Sequence, residues 1–170
     1  MKILGIAGWS GSGKTALITR LLPALRARGL RVSTIKHAHH HFDIDKPGKD
    51  SYQHRAAGAY EVLISSAKRW ALMHEHIDEP EAGLDDLVAR LAPVDLVLVE
   101  GFKAGNHDKI EVFRHKNGTS LLAESDAAVI AVASQDTLPG FDRPVLPLDD
   151  AAAIADFIIK HCDLTAGEKP

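Results

Sequence analysis

The chain has 170 residues, 45% of them apolar, with a formal net charge of −3, which suits one domain with a sizeable core and is too short for two comfortable ones. That mixed charge gives no reason to expect nucleic acid or an anionic membrane surface as a partner, and no stretch approaches the roughly 20 apolar residues that span a bilayer. The single cysteine, Cys162, excludes an internal disulfide and fits a reducing compartment, so the expected location is the cytoplasm.

Lys2 to Ala7 reads as a strand; it is too short, and too interrupted by Gly5 and Gly8, to be a secretory signal. Leu17, Ile18, Leu21, Leu22 and Leu25 then recur at helical spacing, and the stripe ends before Arg28-Gly29. Pro23 falls inside that helix, where it costs a backbone hydrogen bond or bends the axis. Arg31 to Ile35 is the second strand, and the polar stretch from His37 to Lys49, with Pro47-Gly48, is a loop. Asp50 to Gly58 predicts a short helix. Tyr60 to Ser65 and Arg69 to His74, separated by Ser66-Ala67-Lys68, predict a hairpin, placed at a sheet edge. Leu84 to Leu91 is helical, and Asp95 to Glu100 is an apolar run bracketed by carboxylates, the pattern of a strand buried on both faces. Ile110 to Phe113, Ala128 to Ala133 and Val145 to Leu148 are further strands, and Ala151 to His161 is the last helix. Alternating strands and helices predict an α/β fold, a mostly parallel sheet covered by helices on both faces with the hairpin added. Residues 1–164 are expected to form one domain, and 165–170 a frayed tail.

Gly8-Trp9-Ser10-Gly11-Ser12-Gly13-Lys14-Thr15 matches G-x-x-x-x-G-K-[ST] directly after a strand and directly before an amphipathic helix, the context the motif requires. Glycines let successive N–H groups turn inward around a polyphosphate, and the helix adds its unpaired N–H groups and the positive end of its dipole. The reading is therefore a P-loop NTPase-like domain that binds a nucleoside triphosphate. Lys14 should reach the β- and γ-phosphates, and the Thr15 hydroxyl should hold Mg²⁺. Glu100, at the end of the most apolar strand and followed by Gly101, is the expected partner carboxylate for Mg²⁺ and, with Lys14, a catalytic candidate. Asp95 opens the same strand at the end away from the ligand crevice and reads as a cap.

Asp43, Asp45 and Asp50 follow the second strand, and Asp45 is taken as a third candidate metal ligand. For the base, Ala133-Ser134-Gln135-Asp136 stands where N-K-x-D reads guanine in GTPases; only Asp136 matches, as a guanine acceptor or as a turn cap. His37, His39, His40 and His41 suggest a metal. No cysteine accompanies them and no second dense cluster closes a site, so they read as polar loop residues that hydrogen-bond to neighbours or to a ligand.

The order of the Gly8-to-Thr15 loop, Lys36-His37, Asp43-Ile44-Asp45-Lys46-Pro47-Gly48-Lys49-Asp50-Ser51, Arg55-Ala56-Ala57-Gly58-Ala59, and Asp95-to-Glu100 followed by Gly101-Phe102-Lys103 closely resembles the molybdopterin-guanine dinucleotide biosynthesis protein B family, over most of the chain. The resemblance implies a homodimeric GTP-binding protein with weak GTPase activity. It would assist attachment of GMP to molybdopterin beside the molybdenum cofactor guanylyltransferase. It also implies kinship with the nickel-insertion GTPases of urease and hydrogenase. As a nickel-delivery GTPase the chain would use His37 to His41 as a depot, but it lacks a Cys-Pro-His or Cys-x-x-Cys ligand set. As a small-molecule kinase it would need an arginine-bearing lid, and Gly105 to Gly118 holds only Arg114. The loop from His37 to Ser51, with Lys36, Lys46 and Lys49, is expected to meet the phosphorylated pterin or the partner enzyme.

Overall fold

The computed structural model describes residues 1–38 and 42–165; His39, His40 and His41 of the histidine cluster lie outside the described residues. In chain order the elements are β1 (Lys2–Ala7), α1 (Lys14–Ala27), β2 (Val32–Lys36), α2 (Asp50–Ala56), β3 (Glu61–Ser65), β4 (Trp70–His74), α3 (Leu84–Ala89), β5 (Leu96–Glu100), β6 (Lys109–Val112), β7 (Val129–Ser134), β8 (Val145–Pro147) and α4 (Ala151–His161). Contacts divide them into two compact units, Met1–His37 with the chain from Leu84 onward, and Ala38–Gly83.

The first unit is a six-stranded sheet in the order β2-β5-β1-β6-β7-β8, with every neighbouring pair parallel. Parallel strands need crossovers, and these put helices on both faces. β5 shows why its sequence is an unbroken apolar run. Leu96 and Leu98 join Leu4, Ile6 and Ile110 under Leu17, Leu21 and Leu25 of α1 and Ile154 and Ile158 of α4. Val97 and Val99 point the other way and pack with Ile35 against Leu84, Leu87 and Val88. Both faces being buried, neither can be polar. Burial of each such side chain contributes about 1.5–3 kcal/mol. Pro23 gives up one helical hydrogen bond, yet α1 runs unbroken across it with the proline on the exposed side.

β6 carries two fully buried charged residues that the hydropathy pattern does not anticipate. The Lys109 ammonium donates to the Gly105 carbonyl and to Asp126 Oδ2 at 2.9 Å. Glu111 accepts from the N–H groups of Leu122 and Ala123 at 2.9 and 3.0 Å, closing the start of a 3₁₀ turn; burial pushes its carboxyl upward, and those two N–H groups pull against it. Asp95 accepts from the Arg31 N–H at 2.6 Å, the capping part expected of it.

The second unit corrects the expected place of the hairpin. β3 and β4 pair with each other, Glu61 opposite His74 through Ser65 opposite Trp70, as a separate two-stranded sheet; they do not extend the edge of the parallel one. Alternation predicts a hairpin but does not say which sheet it joins. Val62 and Met73 are its buried residues. Arg55 of α2 ties the unit together, with one N–H on Glu75 at 3.1 Å and another on Asp43 at 2.9 Å. This is the physical content of the Arg55-Ala56-Ala57-Gly58 segment: the arginine holds the loop and the hairpin together, and Gly58, at φ +98°, turns the chain between them.

Candidate nucleotide-binding site

β1 ends at Ala7, and the chain leaves it through Gly8 at φ +139°. A Cβ there would lie 2.6 Å from the Val112 carbonyl oxygen and 2.7 Å from Ser12 Oγ, so the passage between β6 and the loop admits only glycine. Gly13, at φ +105°, precedes the first turn of α1 and offers no side chain to cap it. The N–H groups of that turn therefore face the loop, the arrangement that holds an anion. Lys14 folds over the loop, and its ammonium donates to the Gly8 and Trp9 carbonyls at 3.0 Å each. Partial burial lowers its pKa, with Glu100 opposing. Ser10, Gly11, Gly13, Lys14, Thr15, Ala16 and Glu100 line a cavity of about 330 Å³, within the size range of small-molecule sites.

Glu100 enters from β5, the neighbour of β1, where it stands in register with Ile6 and with Lys36 of β2. The Thr15 hydroxyl donates to Glu100 Oε1 at 2.9 Å, and the Lys36 ammonium lies 3.9 Å from the same oxygen. A hydroxyl and a carboxylate meeting at the mouth of a phosphate cradle are hard oxygen donors and fit Mg²⁺.

The residues after Glu100 explain the Glu-Gly-Phe-Lys motif. Gly101 has φ +104°, and a Cβ on it would lie 2.6 Å from the His37 Cβ. Phe102 follows at φ +48° and packs its ring on His37, centroids 4.7 Å apart. This turn returns Lys103 to the phosphate loop, its ammonium 4.6 Å from the Trp9 ring centroid. Trp9 is fixed in turn by donating its indole N–H to the Ser120 carbonyl at 2.9 Å. Lys103 was legible in the motif, but its place over Trp9 depends on two successive left-handed residues that no periodicity signals.

Two further expected site residues accept local hydrogen bonds. Asp136 follows β7, and its Oδ2 accepts from the His115 N–H at 2.6 Å, so it does shape a turn. Asp45 lies in the second unit, its Oδ1 accepting from Ser51 Oγ and from the Lys46 N–H, both at 2.9 Å. Arg114, considered as a kinase lid residue, instead braces the phosphate loop: its Nε donates to the Ser12 carbonyl at 3.1 Å and another N–H to Gln135 at 2.9 Å.

A glycine loop between a strand and a helix, a lysine folded over it and a hydroxyl–carboxylate pair at the next strand define the P-loop NTPase-like class. The sequence pattern of the molybdopterin guanine dinucleotide synthesis protein B family matches residues 3–135, and the chain belongs to that family. It is 47% identical over 163 residues to the molybdopterin-guanine dinucleotide biosynthesis adapter protein of Escherichia coli, covering 93% of this chain and 91% of that one. It is 44% identical over 158 residues to the protein of the same name from Haemophilus influenzae, covering 92% and 86%. The crystal structure of a molybdopterin-guanine biosynthesis protein B superposes with a TM-score of 0.73 at 32% identity, covering 94% of this chain and 99% of that one.

Proposed function

We propose that this chain is a GTP-binding adapter in molybdopterin-guanine dinucleotide biosynthesis, working as a homodimer beside the guanylyltransferase that attaches GMP to molybdopterin. The observation that carries the nucleotide part is the Thr15–Glu100 pair at the mouth of the glycine loop. The adapter part rests on family membership and on the relatives' names.

In this reading the N–H groups of Gly11 to Lys14 hold the phosphates, and the Lys14 ammonium exchanges its two carbonyl contacts for phosphate oxygens. Thr15 and Glu100 hold Mg²⁺, which when bound neutralises charge between the β- and γ-phosphates. Lys36 and Lys103 add positive charge beside the same mouth. Asp136 is assigned to guanine through its carboxylate. Asp45 is assigned to holding the turn that presents Lys46 and Lys49, ahead of metal coordination, because two donors already meet its Oδ1.

Support for the homodimer comes from the hairpin. Leu63 lies opposite Leu72, and Trp70 next along the same face, and all three are exposed. A two-stranded sheet is marginal alone, and an uncovered apolar face of this kind marks an association surface.

The test is calorimetric titration of GTP, with and without Mg²⁺, into the wild-type chain and Lys14→Ala, followed by reconstitution with the guanylyltransferase and molybdopterin. Binding lost in a folded Lys14→Ala, together with a fall in guanylylated cofactor, supports the proposal. GTP affinity unchanged by that substitution ends the nucleotide assignment; normal cofactor yield without the chain ends the adapter assignment.

A further inference from the structure

The end of the hairpin gathers a set of metal-ligating side chains that lies in the second unit and takes no part in the phosphate site. β4 closes with His74, and the chain then doubles back: the Ile77 N–H reaches the Glu75 carbonyl at 2.9 Å and Asp78 takes φ +57°. The result is that Glu79 returns to β4. Its Oε1 contacts both His74 Nε2 and His76 Nδ1, the latter at 3.2 Å. One ligand atom from each of the three residues lies within 4.8 Å of the other two.

We propose that His74, His76 and Glu79 bind one divalent transition-metal ion of the Zn²⁺ class. Two imidazole nitrogens and one carboxylate oxygen form a donor set suited to Zn²⁺, with a fourth position left for water or another ligand. The surrounding groups point the same way. A metal-bound histidine characteristically gives its other ring N–H to a carboxylate, and His74 Nδ1 lies 2.8 Å from Glu61 Oε1, its partner across the β3–β4 ladder. The ligating carboxylate is also held, because Tyr60 donates its hydroxyl to Glu79 Oε2 at 3.1 Å. Two of the three ligands are thus oriented by residues at the start of β3. His74 is mostly buried, while His76 and Glu79 are open enough for an ion to enter. A bound ion would pin the end of β4 and the turn after it to the start of β3, and so stiffen a two-stranded hairpin. The spacing His74-x-His76-x-x-Glu79 is visible in the sequence, but only the turn at Asp78 makes it converge.

The experiment uses the full chain, stripped with EDTA and dialysed, titrated with Zn²⁺ against a chromophoric indicator and with Co²⁺ by visible absorption. Measurements are repeated in a variant with His39, His40 and His41 changed to alanine, which removes that cluster as a competing source. The expected result is one equivalent of Zn²⁺ in both proteins, with affinity lowered at least a hundredfold by His76→Ala and by Glu79→Gln. Glu61→Gln, which leaves the three ligands in place, should lower affinity roughly 10- to 100-fold. Far-UV circular dichroism checks the fold of each variant, and Glu79→Gln decides the matter if His76→Ala does not fold. Absence of stoichiometric binding, equal affinity in the ligand variants, or binding that disappears in the triple-histidine variant would each overturn the proposal.

Discussion

Glu100 and Asp136 are the carboxylates proposed to act on the nucleotide and its metal, and each has a substitution that separates charge from shape. In Glu100→Gln the amide oxygen still accepts from Thr15, but the charge that faces Lys36 and Lys14 is gone. GTP affinity in EDTA should change little, while Mg²⁺-dependent hydrolysis falls by an order of magnitude or more; equal losses with and without Mg²⁺ would make Glu100 a structural residue. Asp136→Asn likewise keeps an oxygen for the His115 N–H. If its carboxylate accepts from guanine, the mutant loses about 1.5–3 kcal/mol of GTP affinity, roughly ten- to hundredfold, with ATP binding untouched. Calorimetry with both nucleotides decides this, and unchanged GTP affinity would place base recognition elsewhere.

At the scale of elements, the strands and helices of the parallel sheet follow from hydropathy, and the turns between them do not. The Leu17-to-Leu25 stripe is a periodic signal and the run ending in Glu100 a continuous apolar one, and both elements form where they predict. The Gly101–Phe102 turn, which carries Lys103 to Trp9, has no periodic signature; its glycine is explained only by a left-handed φ and by His37 standing where a Cβ would go. Gly101→Ala should therefore cost about 1–3 kcal/mol in backbone strain alone, measured by urea denaturation, and should weaken Mg²⁺-dependent GTP binding by displacing Glu100. Gly118→Ala is the control, since its left-handed φ of +65° opens onto free space; equal effects of the two would remove the His37 argument.

Between β6 and β7, the Asp126 carboxyl feels an upward push from burial but is held below its ordinary range by the Lys109 ammonium and the Ala128 N–H. A depressed carboxylate contributes stability above its unfolded pKa of about 3.9 and loses it as pH falls through the lower folded value. Asp126→Asn, leaving the buried Lys109 without its counter-charge, should thus cost about 2 kcal/mol at pH 7, less than the roughly 3–5 kcal/mol of a fully buried pair because Asp126 is partly exposed. The difference from wild type should shrink below about pH 4. A difference independent of pH would mean that the contact acts through packing and not through charge.

For the molecule as a whole, the hairpin was foreseen as an edge of the main sheet because alternation reports which residues share a face, not what that face meets. Its pairing puts Leu63, Trp70 and Leu72 on one side, while Val62 and Met73 are buried on the other. Val62 and Met73 are covered within the chain, Ile64 beside them only in part, and the outer side is open. Lone strands also carry unpaired backbone edges that invite association. If a second copy covers this face, Trp70→Glu combined with Leu72→Glu should convert a dimer to a monomer in sedimentation equilibrium without unfolding the hairpin, because neither residue belongs to the buried side. The exposed positions make the fold tolerant, so circular dichroism should be unchanged, and Lys14, in the other unit, should still bind GTP. A wild-type chain that sediments as a monomer at micromolar concentration, or a double variant that remains dimeric, would move the apolar face from self-association to another partner. The guanylyltransferase would then be the first to try, with its affinity for the wild-type and doubly substituted chains compared directly.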